Sequence, residues 1–343
     1  CWITGIFGIA TKYAESLIAV KYRVKTEDGR MQGGAMYALE RGLNMRWLGL
    51  AFAFLAGFAS FGIGCATQVN AIAEVCSKNL GIDPFVVGVV VAGMTAVVIF
   101  GGIKSIAKVC EKLVPFMAAF YVIGCVVILF INYDYIIPAV TTICRLAFTK
   151  GAAAGGLVGG GIRYAIQYGV ARGLFSNEAG MGSTPHAHAR AVVKNPHEQG
   201  LTAMMGVFID TFIILNLTVF SVLTTGAMSS GCDGIELTQY AFVSNFGSWG
   251  DIFIAVCLLF FAFSTILSWH FFGKINFEYL FGKKFGIIYS IVVVAFIIIG
   301  STLKLELVWQ LSDFFNGLMV IPNALALLAL SGVVVKMSKN DKI

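Results

Sequence analysis

Long apolar runs follow one another along almost the whole of this 343-residue chain. Hydrophobic residues make up 58% of it and charged residues only 12%, whereas a soluble globular domain carries about 25% charged residues. Apolar runs of roughly 17–25 residues are typical of helices that cross a membrane. The sequence therefore predicts an all-α polytopic membrane protein, and it lacks the alternating ten-residue segments of a membrane β-barrel.

Nine candidate membrane spans are found when the chain is searched for such runs. They lie near residues 1–20, 47–75, 85–102, 113–132, 152–189, 201–225, 251–272, 286–303 and 307–335. The fifth is interrupted by polar residues, so we expect a broken helix there. The segments 133–150 and 226–248 are interpreted as external connections.

Lysine and arginine side chains orient these spans, because cytoplasmic connections carry an excess of them. Seventeen lie in one set of alternate connections, counted with the C-terminal tail, and four lie in the opposite set. We therefore expect a multi-pass protein of the cell membrane with a cytoplasmic C-terminus. The formal net charge of +6 is spread over these short connections and indicates no nucleic-acid partner.

The polar stretch 172–189 inside the fifth span is the strongest functional signal in the sequence. Irregular backbone at membrane depth persists only where it is buried in protein or lines a cavity. Ser176 and Asn177 are expected to cap a half-helix, Gly182 to permit unwound backbone, and Pro185 to begin the helix that resumes. Transporters bind substrates and ions at such breaks. The alternative is a kinked helix that serves packing alone.

Two carboxylates at membrane depth are candidates for function by their position alone. Glu178 lies in the middle of the break, where it either takes part in transport or holds the shape of the break. In the second case it accepts hydrogen bonds from local N–H groups or pairs with Arg172. Asp210, in the next span, is predicted either to anchor helix contacts or to contribute to a proton path.

His186, His188 and His197 follow the break and raise the question of a metal site. Their spacing does not place them on one face of a helix, and no HExxH motif occurs in the sequence. A metalloenzyme is therefore disfavoured, and the histidines are interpreted as lining the mouth of the break. A channel is disfavoured as well, because no filter-like segment is repeated.

Two further polar clusters lie within apolar spans. Ser264, Thr265 and Ser268 place three hydroxyl groups within about one helical turn of each other. Such oxygens are ligands for a small hard cation, although bonding to the preceding helical turn is the simpler interpretation. Gln68 and Asn70 provide buried amides, which either contact a substrate or join neighbouring helices.

Several motifs together resemble one family of transporters, the alanine or glycine:cation symporters, also known as sodium–alanine symporters. They are FGIATKYAE at 7–15, GGAMY at 33–37, GIGCATQVN at 62–70, the stretch 172–189, FIDT at 208–211, FSTILSW at 263–269 and NGLMVIPN at 316–323. The resemblance implies sodium-driven symport of alanine or glycine, with Na⁺ as the coupling ion, no other cofactor and no enzymatic activity. Proton-coupled amino-acid transport is the alternative.

The resemblance also implies a LeuT-type bundle of two inverted repeats in a single transmembrane domain. Residues 1–150 would be the remainder of the first repeat, and residues 151–343 the second repeat with the C-terminal tail. By the same resemblance the chain lacks the first discontinuous helix of the family.

Site residues are carried over from the family position by position. The substrate-binding positions implied in this way are Gln68, Phe175, Ser176, Asn177, Gly182, Thr265 and Trp269. The sodium site would use Ser264 and Thr265, while Glu178, Asp210 and Asn70 are structural or coupling candidates. A small pocket closed by Trp269 and Phe175 is expected to favour alanine, glycine or serine. Cys65, Ala35, Ser268 and Lys274 depart from the usual residues of the family.

Overall fold

A computed structural model describes residues 1–27, 29–148, 161–232, 234–303 and 305–340 of the chain. Almost all of this part is helical. Its one hairpin pairs Val24–Lys25 with Met31–Gln32 in antiparallel register among the described residues. The prediction of an all-α polytopic protein is confirmed at this level.

The described residues of the first half of the chain form seven α-helices with two π-helical segments among them. The helices are α1 (Trp2–Lys21), α2 (Ala35–Tyr37), α3 (Arg46–Ala59), α4 (Thr67–Leu80), α5 (Pro84–Phe100), α6 (Gly102–Ile131) and α7 (Ile136–Phe148). The π-helical segments are π1 (Ala38–Gly42) and π2 (Ser60–Ala66). Because π2 joins α3 to α4 without a turn, residues 46–79 form one continuous helical rod long enough to cross a membrane.

The second half adds nine α-helices and a third π-helical segment among the described residues. The helices are α8 (Gly161–Asn177), α9 (Pro185–His188), α10 (Pro196–Phe208), α11 (Leu215–Thr224), α12 (Ile235–Phe246), α13 (Ser248–Phe281), α14 (Phe285–Thr302), α15 (Leu305–Ala329) and α16 (Ser331–Asn340). The segment π3 (Ile209–Ile214) joins α10 to α11. Short 3₁₀ turns cover Tyr133–Tyr135 and Ala227–Ser229.

Seven helical rods in the described part of the chain are long and apolar enough to cross a membrane. They and the shorter apolar helix α5 match eight of the nine predicted spans in position. The remaining span, the broken fifth one near 152–189, begins in residues that lie outside the described ranges, as do glycines 155, 156, 159 and 160. Both predicted external connections contain a helix, α7 in one and α12 in the other. Glycines with positive φ at positions 234 and 247 bound α12, which explains its sharp limits.

Local sequence explains where α4 ends and α5 begins. Gly81 adopts the left-handed conformation after α4, with a φ of +64°, as glycine commonly does beyond a helix C-terminus. The carboxylate of Asp83 then accepts a 2.8 Å hydrogen bond from the N–H of Phe85, which caps the next helix. Pro84 occupies the first turn, where its missing N–H costs no hydrogen bond.

The described residues form two compact units. The larger unit comprises Gly8–Val114, Glu178–Val207 and Leu258–Ile343. Its main core joins α5 and α14, with Val87 and Val91 buried together with Val293 and Ile297. A second buried cluster joins α1 to the region of α15 and α16 through Leu17, Ile18, Leu330 and Val334.

The smaller unit comprises Cys1–Phe7, Pro115–Asn177 and Phe208–Cys257. Its aromatic core contains the fully buried Phe242, whose ring stacks on Phe253 with centroids 5.0 Å apart. A polar pair also joins α6 to α11, because the hydroxyl groups of Tyr121 and Thr218 lie 2.8 Å apart. The division of the chain into repeats at residue 150 remains a prediction.

Candidate functional site

The predicted break is an irregular turn over residues 178–184 between α8 and α9. Glu178, Gly180 and Gly182 all have positive φ values, of +50°, +86° and +81°. Pro185 lies at the start of α9, as expected. A Cβ added to Gly182 would lie 2.7 Å from the ring of Phe52, so both its conformation and its surroundings require glycine.

The Glu178 carboxylate is held by two donors from different parts of the larger unit. The indole Nε1 of Trp269 donates to its Oε1 at 3.0 Å, and the hydroxyl of Ser183 donates to its Oε2 at 2.6 Å. The ammonium group of Lys12 donates to the Glu178 carbonyl oxygen at 3.3 Å. Glu178 therefore fixes the ring of Trp269, a predicted substrate contact, to the turn.

Glu15 and Asn323 hold the other end of the turn. The N–H of Gly182 donates to Glu15 Oε1 at 3.0 Å, and the amide of Asn323 donates to the same oxygen at 2.6 Å. The Asn323 amide nitrogen also donates to the carbonyl of Gly180 at 2.9 Å. Glu15 and Lys12 both lie in the motif at 7–15, but neither is among the site residues that the sequence predicts.

The histidines after the break serve local structure. Nδ1 of His186 lies 2.6 Å from the Ser183 carbonyl oxygen, and its Nε2 accepts from Asn276 at 3.0 Å. His188 pairs with Gln199, and His197 with Tyr13, each at 2.7 Å. Within the described residues, no group of three potential metal ligands comes together.

Small residues bring the rod 46–79 into close contact with α13. A Cβ on Gly57 would meet the ring of Phe277 at 2.7 Å, and one on Gly64 would meet Cβ of Trp269 at 2.2 Å. Between these two points, a Cβ on Gly273 would lie 2.4 Å from the hydroxyl of Ser60. The two helices thus run antiparallel along a stripe of small residues, a packing mode common in membranes.

This antiparallel register relates two of the predicted substrate residues. The pairs 57 with 277, 60 with 273 and 64 with 269 advance by one helical turn at each step. If the register continues for one further turn, Gln68 comes level with Thr265. The Gln68 amide is oriented within its own helix, where it donates to the carbonyl of Ile63 at 3.1 Å.

The hydroxyl groups of α13 bond to the preceding turn. Ser264 and Thr265 both donate to the carbonyl of Phe261, at 2.8 and 2.9 Å, and Ser268 donates to the carbonyl of Ser264 at 3.0 Å. This is the simpler of the two interpretations offered by the sequence. It does not preclude a cation, since a hydroxyl oxygen that has donated its hydrogen retains acceptor lone pairs.

Asn70 joins two helices. Its amide donates to the carbonyls of Gly300 and Leu303, at 3.2 and 2.8 Å, at the C-terminal end of α14. The last carbonyls of a helix generally have no partner from the helix itself, so the Asn70 amide supplies donors that an apolar setting does not.

We expect Asn70→Ala to lower the apparent melting temperature of the detergent-solubilised protein by several degrees. The substitution removes both hydrogen bonds, and an unsatisfied buried polar group costs about 1–3 kcal/mol. Gln310→Ala, which removes an exposed amide that donates to Glu306 within α15, is the matched control. Equal melting temperatures for the two variants would contradict a structural role for Asn70.

The remaining predicted residues lie in the smaller unit. Ser176 and Asn177 end α8, so they do not cap the start of a half-helix as predicted. Ser176 donates to Asp210 at 2.6 Å, and Thr211 donates to the Asn177 side chain at 2.8 Å. Asp210 thus has the anchoring contact that was one of its two predicted roles. Phe175 lies beside Arg172, whose guanidinium carbon is 5.8 Å from the ring centroid.

Two of the three π-helical segments among the described residues lie at the candidate site. The segment π3 contains the candidate residue Asp210, and π2 contains Gly64, which packs against the candidate residue Trp269. Such segments occur frequently at functional sites, because an extra residue in the turn changes the direction of the side chains that follow. Sequence reasoning missed them, since no composition signal distinguishes them from α-helix.

Comparison with known proteins gives a consistent result. The model of the sodium:alanine symporter family matches residues 1–341. The sodium/alanine symporter AgcS of Methanococcus maripaludis is 44% identical over 98% of this chain and 75% of that protein.

Two proteins of Bacillus subtilis are also similar. The amino-acid carrier protein AlsT is 38% identical over 99% of this chain and 72% of that protein. The probable sodium/glutamine symporter GlnT is 39% identical over 97% of this chain and 69% of that protein. The substrates in these names differ, so similarity alone does not identify the amino acid that is carried.

Proposed function

Because this chain belongs to the sodium:alanine symporter family, whose members are transporters and not enzymes, we propose that it carries a small neutral amino acid together with Na⁺ across the cell membrane. The observation that supports this most directly is the Glu178 carboxylate. It connects an unwound, glycine-containing turn to a buried tryptophan on a facing helix. Alanine or glycine is the proposed substrate.

The proposed substrate contacts lie along the facing helices π2–α4 and α13. Gln68 supplies an amide that both donates and accepts, which suits an amino or a carboxylate group. Thr265 supplies a hydroxyl at the same level, and the buried ring of Trp269, held by Glu178, limits the size of the side chain. Gly182 provides the backbone freedom of the turn. Phe175, Ser176 and Asn177 are proposed as substrate contacts on the resemblance alone.

The proposed sodium ligands include the hydroxyl oxygens of Ser264 and Thr265. Both donate their hydrogens to one carbonyl, that of Phe261, and a hydroxyl oxygen that donates its hydrogen can still accept through its lone pairs. Oxygen ligands of this kind suit a hard cation. If Na⁺ raises the affinity for the amino acid, the amino acid must raise the affinity for Na⁺ by the same factor.

We predict that Thr265→Ala abolishes sodium-dependent alanine uptake, because it removes an oxygen assigned to both ligands. The measurement is uptake of radiolabelled alanine by proteoliposomes that contain the full-length protein, with and without an inward Na⁺ gradient. Thr265→Ser keeps the hydroxyl and is expected to retain uptake with a changed Na⁺ dependence. Unchanged uptake by Thr265→Ala would contradict the assignment of the Thr265 hydroxyl to the substrate and to Na⁺.

Proton coupling through Glu178 or Asp210 is the second candidate. The same proteoliposomes test it, with a pH gradient imposed at fixed Na⁺. Uptake that follows the pH gradient and persists without Na⁺ would favour proton coupling, whereas uptake that requires Na⁺ at every pH supports the symport proposed here.

We also propose the LeuT-type arrangement of two inverted repeats. The broken helix with its turn at 178–184 supports this, because discontinuous helices near the middle of the membrane characterise transporters built from such repeats. An experimental structure with substrate bound would test this proposal directly.

A further inference from the structure

A charged cavity lies in the larger unit, and its described lining residues include neither Trp269 nor any residue of the turn at 178–184. Its volume is about 420 Å³. One wall is apolar and comes from the end of α5, the start of α6 and the middle of α13, with Ile99, Ile103, Ile106, Phe271 and Ile275. The rest is polar. It comes from the β-hairpin, from Arg190 in the turn that follows α9, and from the far end of α13.

Four cationic side chains from different segments line this cavity. They are Arg30, Arg190, Lys274 and Lys283, and the carboxylates among the described lining residues are Glu27 and Glu278. Cations thus outnumber carboxylates by two in the described wall. A wall of this composition attracts a group that carries more than one negative charge.

Arg190 is the cation of this group whose guanidinium stacks on an aromatic ring. Its guanidinium carbon lies 5.5 Å from the ring centroid of Phe271, so an aromatic face supports one side of the planar group. Burial lowers the pKa of Arg190, the neighbouring Arg30 lowers it further, and Glu278 raises it. Burial and a like charge both disfavour the charged guanidinium, and an anion bound beside it would stabilise that form.

The segments around the cavity share one predicted side of the membrane. Arg30, Arg190, Lys274 and Lys283 all belong to the set of connections that the lysine and arginine count places in the cytoplasm. Basic pockets between membrane helices on that side are suited to phosphate groups.

We propose that this cavity binds a phosphate group, with the Arg190 guanidinium as its principal contact and Arg30, Lys274 and Lys283 as further donors. A guanidinium matches phosphate through paired N–H donors. A phosphate monoester carries about −1.5 to −2 charges at pH 7, which matches the local excess of cations better than a single carboxylate does. The phosphate belongs either to a soluble anion or to the head group of an anionic lipid whose chain contacts the apolar wall.

Binding to the full-length protein tests the proposal in nanodiscs of phosphatidylcholine. The first arm measures equilibrium binding of radiolabelled orthophosphate. The second measures retention of phosphatidic acid, a lipid whose head group is a phosphate monoester, by native mass spectrometry. Saturable orthophosphate binding identifies a soluble source, and selective retention of phosphatidic acid without orthophosphate binding identifies a lipid source.

Three variants make the test specific. Arg190→Gln is expected to weaken binding about tenfold or more, because it removes the paired donors. Lys194→Gln removes one charge from the same connection outside the cavity wall and is expected to change affinity less than twofold, as a screened exposed charge should. Glu278→Gln removes a negative charge from the wall and is expected to tighten binding, a gain that misfolding does not produce.

The proposal is overturned by any of three results. One is the absence of binding in both arms. Another is equal affinity in Arg190→Gln and Lys194→Gln. The third is weaker rather than tighter binding by a correctly folded Glu278→Gln variant.

Discussion

Replacing Glu178 with glutamine is expected to reduce alanine uptake at least tenfold and to lower the thermal stability of the protein. Both carboxylate oxygens of Glu178 accept, one from Trp269 and the other from Ser183. The glutamine side chain has only one acceptor oxygen, so its NH₂ group must face either the Trp269 N–H or the Ser183 hydroxyl, whose hydrogen would then need another acceptor. A buried donor left without a partner costs about 1–3 kcal/mol, and the ring of Trp269 loses its fixed position.

A double-mutant cycle with Trp269→Phe separates this pairing from general damage. Phenylalanine keeps an aromatic ring but has no N–H, so Glu178→Gln should cost less in that background than in the native protein. Glu74→Gln is the matched control, because Glu74 is paired with Lys78 in an exposed i,i+4 salt bridge that is worth little. Equal losses from Glu178→Gln in both backgrounds would mean that the two residues do not act together.

Replacing Gly64 with alanine is expected to abolish uptake and to destabilise the protein by at least 1–3 kcal/mol, the approximate cost of overpacking a core. The added Cβ would lie 2.2 Å from Cβ and 2.6 Å from Cγ of Trp269, so the two helices must separate or the indole must move. Either response changes the place where Trp269 meets Glu178. The effect on uptake and stability is expected to be large because the added Cβ would meet the Cβ and Cγ atoms of Trp269. These atoms lie next to the backbone and cannot move aside as the far end of a flexible side chain can.

Gly93→Ala provides the control for this prediction. Gly93 also lies in a membrane helix, α5, but a Cβ added there meets nothing within 4 Å. Alanine favours helix over glycine by about 1 kcal/mol, so Gly93→Ala is expected to be neutral or stabilising. Uptake and melting temperature are measured for both variants, and similar behaviour of the two would contradict the close approach of Gly64 to Trp269.

The membrane helices were predictable because hydrocarbon imposes a minimum length and an apolar composition on any helix that crosses it. Helices α7 and α12 were not predicted, because they are too short and too mixed in composition to meet those requirements. They have 13 and 12 residues, and their mixed composition reads as an external loop. The π-helical segments were not predicted either, because the amino-acid composition of a segment does not show whether its turns contain an extra residue.

The break itself was predictable, whereas its partners were not. Its glycines, its acid and its proline stand out against an apolar background within a single stretch of sequence. The tryptophan that contacts Glu178 lies 91 residues away, and Asn323 lies 308 residues from the Glu15 oxygen to which it donates. Pairings across such distances depend on how the helices pack, and no local pattern encodes that packing.

The left-handed backbone of Glu178, with its φ of +50°, bears on how this position can vary among relatives. A residue with a side chain costs roughly 1 kcal/mol in that conformation, and glycine adopts it freely. Glycine at 178 would remove that cost, but it would leave the Trp269 and Ser183 donors without their acceptor, at about 1–3 kcal/mol for each buried donor. A relative with glycine at this position would keep the turn and lose the carboxylate that holds Trp269. We therefore expect an acidic residue at 178 in chains whose transport depends on this contact.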